Sequence, residues 1–94
     1  MKNDLVVVYL VKYKERGKIK YYTGITKQPS YRLLQHKGLK PGGARCLKGR
    51  KILGMRVLYR AVRSKAAFWE RNIKKNWSSD YKAERYDGLD EEVK

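Results

Sequence analysis

Leu5 to Tyr13 reads Leu-Val-Val-Val-Tyr-Leu-Val-Lys-Tyr in a chain where charged residues make up 35%. So short and apolar a run, rich in β-branched and aromatic residues, suits a largely buried strand better than a helix. A turn is expected at Glu15-Arg16-Gly17, and Lys18 to Ile25 alternates well enough to return as the second arm of a hairpin. Gly24, near the end of that arm, marks a place where another group must approach the backbone closely. Pro29 and Ser30 signal a helix start with Ser30 as cap, and Gly38 signals its end. The helix expected from Ser30 to Lys37 turns Tyr31 and Leu34 inward, with Leu33 beside them, and sets Arg32 and His36 one above the other on its other face.

Gly38 to Lys51 holds four glycines and five basic residues, a loop able to wrap a ligand. Ile52 to Val62 reads as a third strand. Ser64 is expected to cap a helix from Lys65 to Trp77, in which Ala66, Trp69, Ile73 and Trp77 form a core stripe. A last helix is expected from Ser79-Asp80 to near Gly88. The result is a small α+β domain in the order β-β-α-β-α-α, a three-stranded antiparallel sheet flanked by helices. It spans residues 1–88, and a mobile acidic tail follows over residues 89–94. At 94 residues one domain is the natural count. No stretch approaches the ~20 apolar residues of a membrane span, and the N-terminus lacks the features of a signal peptide. Cys46 alone can form no internal disulfide, and a Cys/His zinc set is missing. The expected setting is a reducing cytoplasm, or the nucleoid or nucleus.

Charge is distributed unevenly. Between Arg16 and Trp69 there is no Asp or Glu but there are fifteen Lys and Arg, so the whole net charge of +15 belongs to the middle of the chain. Such a field attracts polyanions, with nucleic acid foremost. Glu70 is the first acidic residue after that stretch. A carboxylate there could hold a divalent cation against a phosphodiester, or it could simply pair with Arg71 or Lys74. Trp69 and Trp77 fit core packing better than base stacking at this spacing. Tyr21 should face the side of the hairpin opposite to Tyr22.

Five segments taken in order resemble the GIY-YIG nuclease superfamily: Val7-Val8-Tyr9, Tyr22-Thr23-Gly24, Arg32 with His36, Gly42-Gly43-Ala44-Arg45, and Trp69-Glu70. The resemblance runs from about Val6 to Lys75. It is nearest to the small stand-alone members and the nuclease domain of Slx-type junction endonucleases, and more distant from the nuclease domain of the repair protein UvrC. Val7 stands where the first motif has glycine, and Thr23 where the second has isoleucine.

The resemblance implies a metal-dependent DNA endonuclease of repair or recombination. Glu70 would be the only protein ligand of one Mg²⁺ or Mn²⁺, whose other positions go to water and phosphate. Arg32 would grip the scissile phosphate. Tyr9 and Tyr22 would line the site, one of them orienting or deprotonating water, with abundant positive charge lowering its pKa. His36 would take a proton from a tyrosine or from water, or else serve as a structural histidine. Lys27, Lys40, Arg45, Lys48, Arg50 and Lys51 would track the phosphates of branched, flapped or duplex DNA. Cutting two strands would call for a homodimer. The rivals are a non-catalytic nucleic-acid-binding module on the same fold, and a small RNA-associated protein whose tyrosines only pack.

Overall fold

The computed structural model describes residues 5–94. Three strands, β1 (Leu5–Glu15), β2 (Lys18–Thr26) and β3 (Lys51–Val62), form an antiparallel sheet in the order β2-β1-β3. Three helices complete this α+β fold: α1 (Pro29–His36), α2 (Arg63–Asn76) and α3 (Ser79–Asp87). The apolar run therefore occupies the central strand, and the reason it does not alternate is that both of its faces are covered. Val7, Tyr9, Val11 and Tyr13 pack on one side with Leu33 and Met55. Val6, Val8 and Leu10 pack on the other with Ala66, Ile73 and Tyr86.

The hairpin closes where expected. Glu15 pairs with Lys18 around a two-residue loop, Arg16 and Gly17, at φ 52° and 78°. Two positive φ values give the turn that matches the natural twist of the strands. Strand β3 makes two irregular steps against β1, one of them between Val8 and Tyr9. The extra residue there is Leu58, which joins the α2 side while Val57 joins the Tyr9 side.

Both expected serine caps are corrected. Helix α1 starts at Pro29 with Gln28 as its cap residue, and α2 follows β3 directly with Val62 in that position; neither cap is made by a side chain. Ser30 and Ser64 lie inside the first turns, where a hydroxyl is too late to cap. Ser78 does cap, accepting from the Tyr81 amide at 3.1 Å. In α1 the buried residues are Leu33 and His36, whereas Tyr31 is exposed. The glycine-rich connection is not a free loop either. It contains a 3₁₀ turn, Arg45–Leu47, whose Leu47 is completely buried in the Tyr9 cluster.

The acidic tail is tied down rather than loose. The Val57 amide donates to the Glu91 carbonyl and the Val93 amide to the Met55 carbonyl, at 3.0 and 2.8 Å. Arg60 pairs with Glu91, and Val93 packs against the Tyr9 cluster. No helix among the described residues is long and apolar enough to cross a membrane.

The tail pairing makes the Val57 and Val93 amides markedly slower to exchange with solvent deuterium than an unprotected backbone amide. Exchange of both at the rate of an unstructured peptide would show that the tail does not hold the edge of β3.

Candidate active site

Strand register brings the two motif tyrosines together. Tyr9 on β1 lies opposite Gly24, and Tyr22 on β2 lies opposite Val11, so both rings project from the same sheet face. Their centroids are 6.5 Å apart. Tyr21, one residue along, joins the other face, as its alternation requires. Gly24 is needed for the space it leaves: a Cβ built there would lie 2.4 Å from the Tyr9 hydroxyl oxygen. The group that approaches the backbone at Gly24 is thus the Tyr9 phenol, crossing over it toward α1.

It ends on His36. Tyr9 Oη and His36 Nε2 are 2.8 Å apart in a buried contact, and the Ala44 amide donates to His36 Nδ1 at 3.3 Å. These partners assign the tautomer. A backbone N–H can only donate, so Nδ1 accepts, and a neutral ring then carries its proton on Nε2 and donates it to Tyr9. Burial, with Arg32 nearby, pulls the imidazole down to about 4, so it is neutral at ordinary pH. The expectation that His36 accepts a proton from Tyr9 therefore meets a ring with no lone pair directed there.

The expectation that surrounding cations depress the phenol is also corrected for Tyr9. Burial pushes it up to about 12, outweighing the opposing pull of Arg32 beside its oxygen. Tyr9 is fully buried, and desolvation of a phenolate there outweighs attraction to the half-buried Arg32. Tyr22 is only half-buried, edge-on to His36 at 5.6 Å and with Lys74 Nζ 5.4 Å from its ring centroid.

Arg32 is held from within its own helix. One guanidinium nitrogen donates to Gln35 Oε1 at 2.9 Å, and Gln35 Nε2 donates to the Pro41 carbonyl at 2.8 Å. Gln35 thereby couples Arg32 to the glycine-rich connection. Arg32 Nε is buried without an acceptor among the described residues, the state of a guanidinium with donor capacity in reserve. Glu70 belongs to α2, whose Ala66 and Ile73 pack on the opposite sheet face, and is near enough for its charge to oppose ionisation of Tyr9. Glu70 pairs with Lys74 at 3.3 Å across one helical turn; helical pairs at this spacing contribute about 0.3 to 0.5 kcal/mol and yield easily.

The expected phosphate-tracking residues fall in three places. Lys40, Arg45 and Lys48 line a cavity of about 610 Å³ with Gln35 and His36. Lys27 lines a second cleft of about 440 Å³ with Arg32, Gln35 and Arg63. Arg50 instead bonds to Glu15 at 2.6 Å, and Lys51 faces Lys14 across the ladder. That is the turn end of the hairpin, roughly 20 Å along β1 from Tyr9 at a strand's rise per residue. Sequence reading missed Arg63 and Gln35, whereas the pairing of Glu70 with Lys74 is one that it offered. Counting by helical spacing from Glu70 would have found Arg63, at i−7; nothing in the sequence marks Gln35.

Among the described residues no cluster of three or more His, Cys, Asp or Glu could hold a metal ion. The donor set is a lone carboxylate, Glu70, in a basic cleft. It fits a hydrated Mg²⁺ that takes its remaining ligands from water and phosphate, and does not fit an ion held by protein alone. Residues 5–86 match the family model of the GIY-YIG catalytic domain. The chain belongs to this family and has its nuclease-type fold. Neither the curated proteins nor the solved structures provide a match.

Two outcomes follow from this geometry. Gly24→Ala forces Tyr9 off His36 and is expected to cost about 1 to 3 kcal/mol in denaturant unfolding; a variant as stable as wild type with an unshifted Tyr9 ring resonance would refute the close approach. His36 also gives stability a pH dependence. Its native value lies near 4 and its unfolded value near ~6.5, so below the latter only the unfolded chain gains the proton. Stability should fall by up to about 3 kcal/mol as pH drops from about 6.5 to 4 and be flat above that window. The carboxylates of Glu15 and Glu91, held low by hydrogen bonds from Lys20 and Arg60, act only at the acid end of it. His36→Gln should remove the slope, and a slope that survives this change would contradict the buried neutral ring.

Proposed function

We propose that this protein is a divalent-metal-dependent endonuclease that hydrolyses DNA phosphodiester bonds and selects DNA by structure more than by sequence. The observation that carries the reading is the convergence of two phenols, a neutral imidazole, a guanidinium and a lone carboxylate around Gly24. A binding module gains nothing from a carboxylate in its phosphate cleft, and the family is one of nucleases that act on DNA.

Glu70 would hold Mg²⁺ or Mn²⁺, giving up its contact with Lys74. The ion would supply positive charge to the phosphate and to the leaving oxygen. Arg32, prepositioned by Gln35, would take a non-bridging phosphate oxygen with the donors its helix leaves available, and Arg63 would add a second guanidinium from the same cleft. Tyr9 is covered, and its oxygen already receives the His36 proton. Its part is to fix the imidazole, the β2 backbone at Gly24 and the Tyr22 ring. Tyr22, half-buried beside Lys74, is the phenol that can meet the attacking water and orient it or take its proton. Lys27, Lys40, Arg45 and Lys48 would hold the flanking backbone. They position DNA without reading its sequence.

The Glu70–Lys74 ion pair favours one rival, a basic module that binds nucleic acid without cutting it. Cleavage of flapped, branched and duplex DNA with Mg²⁺ or Mn²⁺ separates the two. Wild type should cut at least one of these, and Glu70→Ala should lose on the order of 10²-fold or more in rate while binding as tightly or more so. No cleavage by wild type under any of these conditions, or undiminished cleavage by the variant, would leave the binding module standing. For the two phenols at equal DNA binding, Tyr22→Phe should lower the cleavage rate more than Tyr9→Phe, and Tyr9→Phe should be the more destabilising in denaturant unfolding. The reverse pattern would exchange their roles.

A further inference from the structure

Helix α2 has a third face that neither the core nor the proposed catalytic cleft uses. Ala66, Trp69, Ile73 and Trp77 point to the sheet, and Arg63, Glu70 and Lys74 point toward β2. Phe68 lies off both stripes and is 52% exposed. Its ring stands nearly perpendicular to Trp69, at 76° and 5.8 Å, and Trp69 rests in turn on Tyr59 at 5.4 Å. A large apolar ring is thus braced from below and open above. Around it Arg71, Asn72, Lys75 and Asn76 line a shallow cleft of about 380 Å³. This face carries no carboxylate, because the one acid of α2 is Glu70 on the other side of the helix.

We propose that this face binds an unpaired segment of single-stranded DNA, with a base stacked on Phe68 and its flanking phosphates on Arg71 and Lys75. An exposed aromatic ring among cations and amides matches a nucleotide in all three of its parts. The ring offers a stacking surface that any base can use, the cations answer the phosphates, and Asn72 and Asn76 can bond to base edges. Duplex DNA cannot use the ring, since its bases are already stacked within the helix. A second copy of this chain is disfavoured by charge, because it would bring cations against cations in a protein of net charge +15. The platform and Glu70 lie on opposite sides of α2, separated by at least a helix diameter of about 10 to 12 Å. The inference deepens the proposed function by naming the unpaired strand as the feature of DNA structure that is selected, and it is tested on binding alone.

The test uses the full chain in EDTA, so that no strand is cut, with fluorescent oligo(dT), a duplex of equal length and oligo(U) as probes. Phe68→Ala should weaken oligo(dT) binding roughly five- to a hundredfold, the range of one lost stack, and leave duplex affinity nearly unchanged. Phe68→Trp should restore it. Arg71→Ala with Lys75→Ala should reduce the slope of log affinity against log salt by about 0.7 per phosphate contact on the single strand. Saturating oligo(dT) should also perturb the fluorescence of Trp69, and circular dichroism will show that the exposed substitutions leave the fold intact. Equal losses on single strand and duplex, no loss on either, or a clear preference for oligo(U) over oligo(dT) would each overturn the proposal. Failure of the nuclease reading would show only in the cleavage assay with Glu70→Ala, so the two outcomes remain distinct.

Discussion

Everything in this fold depends on β1 being covered twice. A single strand with no polar face needs an apolar layer on each side, and in a chain this short those layers are supplied by α1 with the Leu47 turn on one face and by α2 with α3 on the other. β2 is an edge strand, and residues of both layers line one cleft beside it, Arg32 and Gln35 from α1 with Arg63 from α2. Arg32 from one layer and Glu70 from the other therefore meet the tyrosines there. The site is a consequence of how the core is closed.

Two opposing effects set the chemistry of its buried part. The chain is strongly basic, which should favour a phenolate and disfavour an imidazolium. The second effect does occur at His36, where burial and Arg32 act in the same direction. At Tyr9 they act against each other, and burial wins. A hydroxyl that stays protonated and a ring that stays neutral make a rigid, uncharged pair, suited to holding neighbouring groups in place. Reactivity is left to groups nearer the solvent, where Lys74 and Arg63 stand.

Much of this was legible in the sequence, for identifiable reasons. Gly24 announced a close approach, and the turn expected at Glu15-Arg16-Gly17 closes at Arg16-Gly17, which sets the register that brings Tyr9 and Tyr22 to one face. The order of elements followed from alternation and helical spacing. Helix starts were misread because Ser30 and Ser64 look like caps, whereas Pro29 and the unbroken run from β3 into α2 determine where the helices begin. The burial of His36 and Leu47 was not legible, since nothing local shows that the glycine-rich connection folds back to cover them. Nor did composition show that Arg50 is engaged by Glu15 at the far end of the hairpin.

The tail that pairs along β3 also bears on how copies of the protein treat one another. An uncovered strand is a template for another strand, and here one edge of the sheet is partly closed by residues 91–93 while the other carries exposed lysines on β2. The same positive charge that draws nucleic acid keeps those lysine-bearing edges apart. A bound polyanion neutralises that repulsion, so colloidal stability and substrate binding draw on one reservoir of charge. Solutions of the free protein are protected from edge-to-edge association by the feature that a saturating load of DNA cancels.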